Sequence, residues 1–544
     1  MRKKYLITIA SAVACLILDS VADDRPNIVY LMSDDHQATA MGCMGNSEIE
    51  TPNLDKLASR GVLFERCYAT TPLCMPSRAT TMLGMYEYKT GCNFLTGKVS
   101  LSNWKNSSYP MLLKKAGYRT AFAGKWGFNL EGEVSAQTSA KDDFDVWGGL
   151  QGSQGNYLTE KNKAMKAYAK EYPHVTRALG AFGRDFIVDS AKQDQPFCLS
   201  ISFKAPHAPY NVIDPEDQKK YAGVRFSEPA GFDQEGWDNL AIQPKLGRQY
   251  MQRDRWDKDH YQDHLRVYYQ LISGVDSAVG MVVKALEEAG VADNTVIIYT
   301  ADNGYFCGAH GLQGKALPYE QATHIPLIIY DPRTPKAARG RKTPAIAANI
   351  DFAPTMLDLA GVPVPAQMDG KSLVPSIQNP DHRVRTQLGL VQNWDVLNRD
   401  MPKALAVVSE DWKYIHWCYA DENVPVCEQL FDLKRDPNEM NNVAQSPEKS
   451  AILKSMQKHY DAFHQQWVEG CVDGPHYKRY ATIFDRNIPW QKKDYRVDIG
   501  RGDTSQLTEK EQKFHALILD MFGEQTIQTY TEQTGAAYPV EGKR

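Results

Sequence analysis

Positive charge is not in surplus in this chain: 62 Lys and Arg stand against 66 Asp and Glu, a formal net charge of −4. That balance excludes a protein that spreads itself over a polyanion such as nucleic acid; any anion it handles must be met by a few placed cations. Past the first residues no apolar run is long enough to cross a bilayer, which excludes a membrane span in the mature chain and leads us to expect a soluble protein. There is no internal repeat and no low-complexity linker, which excludes a repeat array. Cysteine is scarce, ten in 544 residues, and losing Cys15 with the leader leaves nine. An odd number excludes complete pairing and marks one thiol for another task. If Cys74 is that thiol, the other eight could pair. Cys418 and Cys427, which flank a short polar segment, then make the best local bridge; buried free thiols are the alternative.

What is present begins with size. At 544 residues the chain exceeds the roughly 250–300 residues at which a single core stops growing, so two domains are expected. Residues 1–22 combine a charged start, an apolar run over 5–18 and small residues at Ser20 and Ala22. That reads as a secretory signal cleaved after Ala22, sending the protein to the periplasm or the medium. Ala12-Val13-Ala14-Cys15 has the outline of a lipoprotein box, but apolar residues continue past Cys15 and Ala12 is smaller than the aliphatic usual there.

Apolar β-branched runs alternate with helical patterns, the signature of a large, mostly parallel sheet flanked by helices. Strands are expected over 27–32, 119–123, 197–203, 295–300 and 326–330, and helices over 51–59, 111–116 and 261–289. After about Gly370 the texture changes. Short strand-like runs at 405–408, 412–417 and 429–433, separated by turn residues, suggest a small antiparallel sheet. The division expected is 23–370 for the larger domain and 371–544 for a smaller C-terminal α+β subdomain. Its tail from roughly Lys449 is polar, aromatic and weakly periodic.

Polar residues gather where the strands end. Strand 27–32 runs into Ser33-Asp34-Asp35, and strand 119–123 into Gly124-Lys125. Strand 197–203 runs into Lys204-Ala205-Pro206-His207, and strand 295–300 into Ala301-Asp302-Asn303. Ligands of open α/β sheets bind beyond the carboxyl ends of the strands, so four strand ends delivering carboxylates, a lysine and a histidine define a candidate active site. Asp34, Asp35, Asp302 and Asn303 offer only oxygen, a hard set that selects calcium or magnesium over zinc. Cys74-Met75-Pro76-Ser77-Arg78 precedes a helix expected over 77–82, ended by Gly84. Pro76 suits the first helical position. Cys74 would sit just before a helix N-terminus that favours negative charge, with Arg78 one turn on to reach back towards an oxyanion.

The same pentapeptide resembles the C-x-P-S-R signature of formylglycine-dependent sulfatases of the alkaline-phosphatase-like superfamily. The resemblance continues in order along most of the chain. It runs through 25–35 (RPNIVYLMSDD), 51–64 (TPNLDKLASRGVLF), 117–126 (GYRTAFAGKW), 205–209 (APHAP), 300–304 (TADNG) and 310–315 (HGLQGK). The segments 351–361, 368–373 and 430–442 are similar to later landmarks. The resemblance implies a sulfate ester hydrolase in which Cys74 is oxidised to a formylglycine aldehyde by a formylglycine-generating or radical maturation enzyme. The hydrated aldehyde attacks sulfur. Asp34, Asp35, Asp302, Asn303 and modified Cys74 would bind the metal, calcium with magnesium as the alternative. Arg78, Lys125, His207 and Lys315 would surround the sulfate, with His207 or Lys315 protonating the leaving oxygen.

Two positions depart from the family pattern. Gly127 replaces the histidine that usually follows Gly-Lys-Trp, and Leu83-Gly84 stands for the usual Thr-Gly. The absent histidine would contact the formylglycine hydroxyl; His36 and His310 are the candidates to substitute. Two other functions fit the motifs: a phosphodiesterase or phosphonate monoester hydrolase of the same superfamily, and a sulfated-ligand-binding protein without turnover. Export, ten Trp and 28 Tyr suit a sulfated polysaccharide or oligosaccharide, because aromatic faces stack on sugar rings. Specificity elements are expected within 211–263 and the tail.

Overall fold

The computed structural model describes residues 25–493 apart from 94–96, 132–139, 153, 246–248, 250–255, 395–402, 419, 421–424 and 474. The leader, Cys15 and the tail beyond 493 lie outside the described residues.

Eight strands form the large sheet: β1 Asn27–Asp34, β2 Val62–Tyr68, β3 Arg119–Gly124, β4 Val146–Gly149, β5 Phe197–Pro206, β6 Thr295–Ala301, β7 Leu327–Tyr330 and β8 Arg341–Ala348. Their order is β4-β3-β5-β1-β6-β7-β2-β8. Every pairing is parallel except those of β7, which runs antiparallel to β6 and β2. The expected α/β architecture is therefore present, with one reversed strand.

The central strands read as unbroken apolar runs because both faces are covered. In β1, Ile28, Tyr30 and Met32 enter one core while Val29 and Leu31 enter the other. The helices that matter here are α1 Pro52–Arg60, α2 Cys74–Leu83, α3 Tyr109–Lys115, α4 Val175–Ser190, α5 Tyr261–Glu288, α6 Phe352–Leu359 and α7 Ser450–Gly470. Helices α2, α3 and α6 pack on the Ile28 face; α1, α4 and α5 pack on the Val29 face.

Several elements escape the sequence patterns, for physical reasons. Strands β4 and β8 lie at the two edges of the sheet, where a strand needs no continuous apolar run. Strand β4 carries Gly148 and Gly149, and β8 opens on Arg341-Lys342 and holds Pro344, a residue that edges tolerate. Helix α4 contains Gly180 and Gly183, weak helix formers that let it approach its neighbours. A Cβ at Gly180 would lie 3.1 Å from the Ala278 backbone of α5, and one at Gly183 only 2.8 Å from Ile201 Cδ1.

A second sheet of four antiparallel strands, β9 Gln387–Gln392, β10 Ala404–Ser409, β11 Trp412–Trp417 and β12 Cys427–Asp432, has the order β12-β11-β10-β9. The stretch that begins the weakly periodic tail is helix α7. Met456, Tyr460, Phe463 and Trp467 recur on one face of it and join the core of this sheet. The sheet is also tied to the larger layer by charge: Lys413 of β11, fully buried, pairs with Glu320 at 2.7 Å and Glu439 at 2.9 Å. All nine described cysteines are free, so Cys418 and Cys427 form no bridge.

Candidate active site

The parallel strands place their carboxyl ends side by side, and there the register breaks. Met32 of β1 pairs with Ser202 of β5, but Asp34 pairs with Pro206. Such a bulge re-aims side chains, and the next residue, Asp35, takes a left-handed φ of 65°. Strain of this kind persists where surrounding bonds enforce it. Here the Asp35 N–H donates to Asp302 Oδ1 at 3.2 Å and its carbonyl accepts from Tyr268 at 2.6 Å. Asp34, Asp35 and Asp302 consequently converge, each with a carboxylate oxygen within 4.8 Å of the others.

Helix α2 starts at Cys74 itself, with Leu73 as its cap, three residues earlier than the pattern suggests. Pro76 is thus the third helical residue, still within the first turn, where no intrahelical N–H is needed. The helix is pinned to the strand ends by Ser77, whose hydroxyl donates to the Asp302 carbonyl and accepts from Asn349 at 2.9 Å. Cys74 Sγ lies 3.6 Å from Asp34 Oδ1 and 2.6 Å from Lys315 Nζ. The Lys315 loop is held there by the Ala316 N–H, which donates to the Pro72 carbonyl at 2.9 Å.

Three carboxylates and three cations interlock. Arg78 reaches Asp302 Oδ2 with Nε at 2.9 Å and Nη2 at 2.8 Å, and donates through Nη1 to the Lys125 carbonyl at 2.8 Å and to Ser202. Lys125 pairs with Asp34, and Lys315 with Asp35. Arg78 and Asp302 are at most 1% exposed. Burial alone would raise the Asp34 pKa, but Lys125, His207, Arg78 and Lys315 together hold it well below the usual range. Burial and the Asp34 charge push Asp302 up. Burial, with Asp34 beside it, raises the Cys74 thiol to about 11. Lys315 is held well above its ordinary value by Asp35 and Cys74 despite burial.

His207 Nε2 is 3.8 Å from Asp35 Oδ2, and its Nδ1 is 2.6 Å from the Ala208 carbonyl. A carbonyl only accepts, so Nδ1 carries the proton. Burial holds the ring neutral, with its pKa down to about 4; Nε2 is then a lone pair. Asn303 gives both amide hydrogens away, to Asp35 Oδ1 at 2.7 Å and the Gly304 carbonyl at 2.8 Å. Its buried Oδ1 has no partner.

The eight residues singled out from the strand ends and the cysteine motif, Asp34, Asp35, Cys74, Arg78, Lys125, His207, Asp302 and Asn303, meet here, together with Lys315, which the resemblance added. The two reserve histidines do not join them. The His36 ring spends its nitrogens on Ser33, Tyr299 and the Ala40 carbonyl, and His310 stacks on Tyr319 at 4.9 Å. At Gly127, φ is +89°, and a Cβ there would lie 2.6 Å from Arg78 Cδ. The Arg78 side chain occupies the space that a residue-127 side chain would need. Sequence reasoning missed Ser77, Ser202, Tyr157 and Lys204 as members of the site. Ser77 and Lys204 carried a signal, Ser77 by its place in the cysteine motif and Lys204 by its place at the end of β5.

An α/β sheet that gathers carboxylates, cations and a helix-initial cysteine at its carboxyl edge defines a hydrolase of the alkaline-phosphatase-like kind. The sulfatase family profile matches residues 26–362, and a profile described as N-sulphoglucosamine sulphohydrolase, C-terminal, matches residues 308–466. The chain belongs to the sulfatase family and is a sulfatase, a sulfuric ester hydrolase. The N-acetylglucosamine-6-O-sulfatase of Bacteroides thetaiotaomicron is 30% identical over 512 residues, covering 82% of this chain and 88% of that protein. An ulvan-active sulfatase of Formosa agariphila is 25% identical, covering 86% of each. Among solved structures, BT4656 in complex with its substrate D-glucosamine-2-N,6-O-disulfate matches with a TM-score of 0.67 at 28% identity, over 82% of this chain and 98% of that one. The phosphonate monoester hydrolase of Agrobacterium radiobacter shares the fold, with a TM-score of 0.69 at 21% identity over 81% of this chain and 96% of that one.

Proposed function

We propose that this chain is an exported sulfatase of sulfated sugars, using a formylglycine made from Cys74 by a maturation enzyme and a bound calcium, or magnesium, ion. The observation that carries the reading is the setting of Cys74 Sγ. It sits on the first residue of a helix, between Lys315 Nζ at 2.6 Å and Asp34 Oδ1 at 3.6 Å, against three clustered carboxylates. The relatives that act on glucosamine sulfates point to the substrate class.

The residues present fit a hard cation. Asp34, Asp35 and Asp302 offer carboxylate oxygens, and the orphaned Asn303 Oδ1 completes an all-oxygen set. Such an ion, when bound, polarises a sulfate oxygen and acidifies a hydroxyl nucleophile. Formylglycine, when present, supplies that hydroxyl.

The chain's own groups do the rest. Arg78 clamps Asp302 and Ser202, fixing helix α2 relative to β5 and β6. Lys125 and Lys315 present ammonium groups where charge develops on the departing sulfate. With Nδ1–H committed to Ala208, His207 has only a lone pair at Nε2 and receives a proton or a hydrogen bond there. Lys315, held above its ordinary value by the Asp35 carboxylate, is therefore the proton donor to the leaving oxygen. The test is a panel of sulfated mono- and oligosaccharides, glucosamine 6-O-sulfate among them, assayed for released sulfate with the wild type and Cys74→Ala. Release by the wild type alone is expected. No release from any member, or equal release by Cys74→Ala, overturns the reading.

A further inference from the structure

Lys204 stands apart from the other buried lysines of this region. It is 3% exposed, yet among the described residues its ammonium has no ion pair and no hydrogen bond; it lies over the face of Tyr157, 5.2 Å from the ring centroid. Lys125, Lys315 and Lys413 each hold at least one carboxylate. A mostly buried lysine whose ammonium no carboxylate holds, at the rim of an active site, points to an anion that comes and goes.

Its place on β5 says which anion. Lys204 lies two residues beyond Ser202, whose hydroxyl accepts from Arg78. The neighbouring strand β3 ends beside it, with the Lys125 N–H donating to the Ser202 carbonyl at 2.8 Å. Lys204 thus lies at the carboxyl end of β5, beside the end of β3 that leads into Lys125, with its ammonium over the Tyr157 ring. Burial and the Lys125 charge push its pKa down to about 8, while Asp34, Asp35 and Cys74 pull it up, which places it in the field of the same cluster. Tyr157, whose hydroxyl donates to the His207 carbonyl, holds Lys204 and the His207 loop in one arrangement.

We propose that Lys204 binds a sulfate oxyanion of the substrate. The inference rests on the reading of the chain as a sulfatase of sulfated sugars. The oxyanion has two sources, the sulfate being cleaved or a second sulfate on the same sugar.

The experiment compares wild-type, Lys204→Met and Lys204→Arg enzymes, matured and metal-loaded, on glucosamine 6-O-sulfate and glucosamine 2-N,6-O-disulfate, with inorganic sulfate as an inhibitor. Thermal melts establish that each variant is folded. If the cleaved sulfate is bound, Lys204→Met loses roughly 10- to 100-fold in kcat/KM on both sugars, and inorganic sulfate inhibits it correspondingly less. If a second sulfate is bound, only the disulfated sugar suffers. In either case Lys204→Arg recovers much of the loss.

Kinetic constants within about twofold of wild type on both sugars, with unchanged sulfate inhibition, overturn the proposal; so does an equal loss in Met and Arg variants with unchanged sulfate inhibition. Should the wild type hydrolyse neither sugar, the substrate reading fails separately. Titration calorimetry of inorganic sulfate into wild type and Lys204→Met then decides Lys204 alone: weaker binding by the variant supports it, and no difference overturns it.

Discussion

Gly127→Ala perturbs backbone and site together. The backbone at 127 has φ of +89°, a left-handed conformation that costs an L-residue about 1–2 kcal/mol. The added Cβ would also lie 2.6 Å from Arg78 Cδ, whereas carbon atoms settle at roughly 3.5–4.0 Å, so Arg78 must retreat by about 1 Å. That side chain makes one hydrogen bond to Asp302 and one to the Lys125 carbonyl, and an ion-pair contact from Nη2 to Asp302, all at 2.8–2.9 Å. A hydrogen bond to a charged group contributes about 1.5–3 kcal/mol, so strain plus the loss of one such bond amounts to about 2.5–5 kcal/mol. A displacement of this size near reacting groups costs roughly 100-fold in rate. Urea unfolding and turnover of an aryl sulfate by the matured enzyme measure the two effects. Gly127→His, which supplies the residue usual after Gly-Lys-Trp, meets the same Arg78 and is expected to be no better than alanine. An alanine variant within about 0.5 kcal/mol of wild-type stability, a change ordinary for surface sites, and with unchanged turnover, would refute the idea that Arg78 fills the place of the missing side chain.

Three further outcomes are expected. Chelation should abolish activity, calcium or magnesium but not zinc should restore it, and the ion should raise the melting temperature, since a ligand at about 100 Kd stabilises by roughly 2.7 kcal/mol. Lys413→Met leaves Glu320 and Glu439 facing each other without their shared cation and should cost about 3–5 kcal/mol, partly recovered by adding Glu439→Gln; differential unfolding curves test it. Burial holds His36, His174, His207 and His310 down to about 4 and His416 to about 3. Below the ordinary histidine value of 6.5, the unfolded chain takes up protons that the folded one refuses, so stability should fall as pH drops from about 6.5 to about 4. Asp276, Asp302 and Glu439, with raised values, act the other way but are three against these five and His324, which burial also lowers; denaturant midpoints that hold level over this range would contradict the count.

The central strands were legible because strands buried on both faces must be apolar throughout, and the switch to Asp, Lys, His or Asn at their ends marks the edge where ligands bind. The same logic located the carboxylates, Lys125 and His207. It could not find β4 or β8, whose edge positions free them from that pattern, nor β2, an interior strand whose apolar run is broken by Glu65-Arg66, nor α4, whose two glycines serve close packing against α5 and β5. Helix α7 did carry its signal in Met456, Tyr460, Phe463 and Trp467, diluted by the polar residues around them. The roles of Lys204 and Gly127 depend on what lies beside them in space. Arg78 is 49 positions from Gly127 in sequence, and only packing reveals that it fills the gap. The lack of a partner for Lys204 likewise has no trace in local sequence.

The central claim is that Cys74 is the precursor of the nucleophile. Tandem mass spectrometry of the peptide carrying residue 74, from protein made in a host that holds a maturation enzyme and shown to release sulfate, tests it most directly. The account expects an aldehyde at position 74, in a fraction of molecules that rises and falls with specific activity. A fully active preparation in which residue 74 is an unmodified thiol would contradict it.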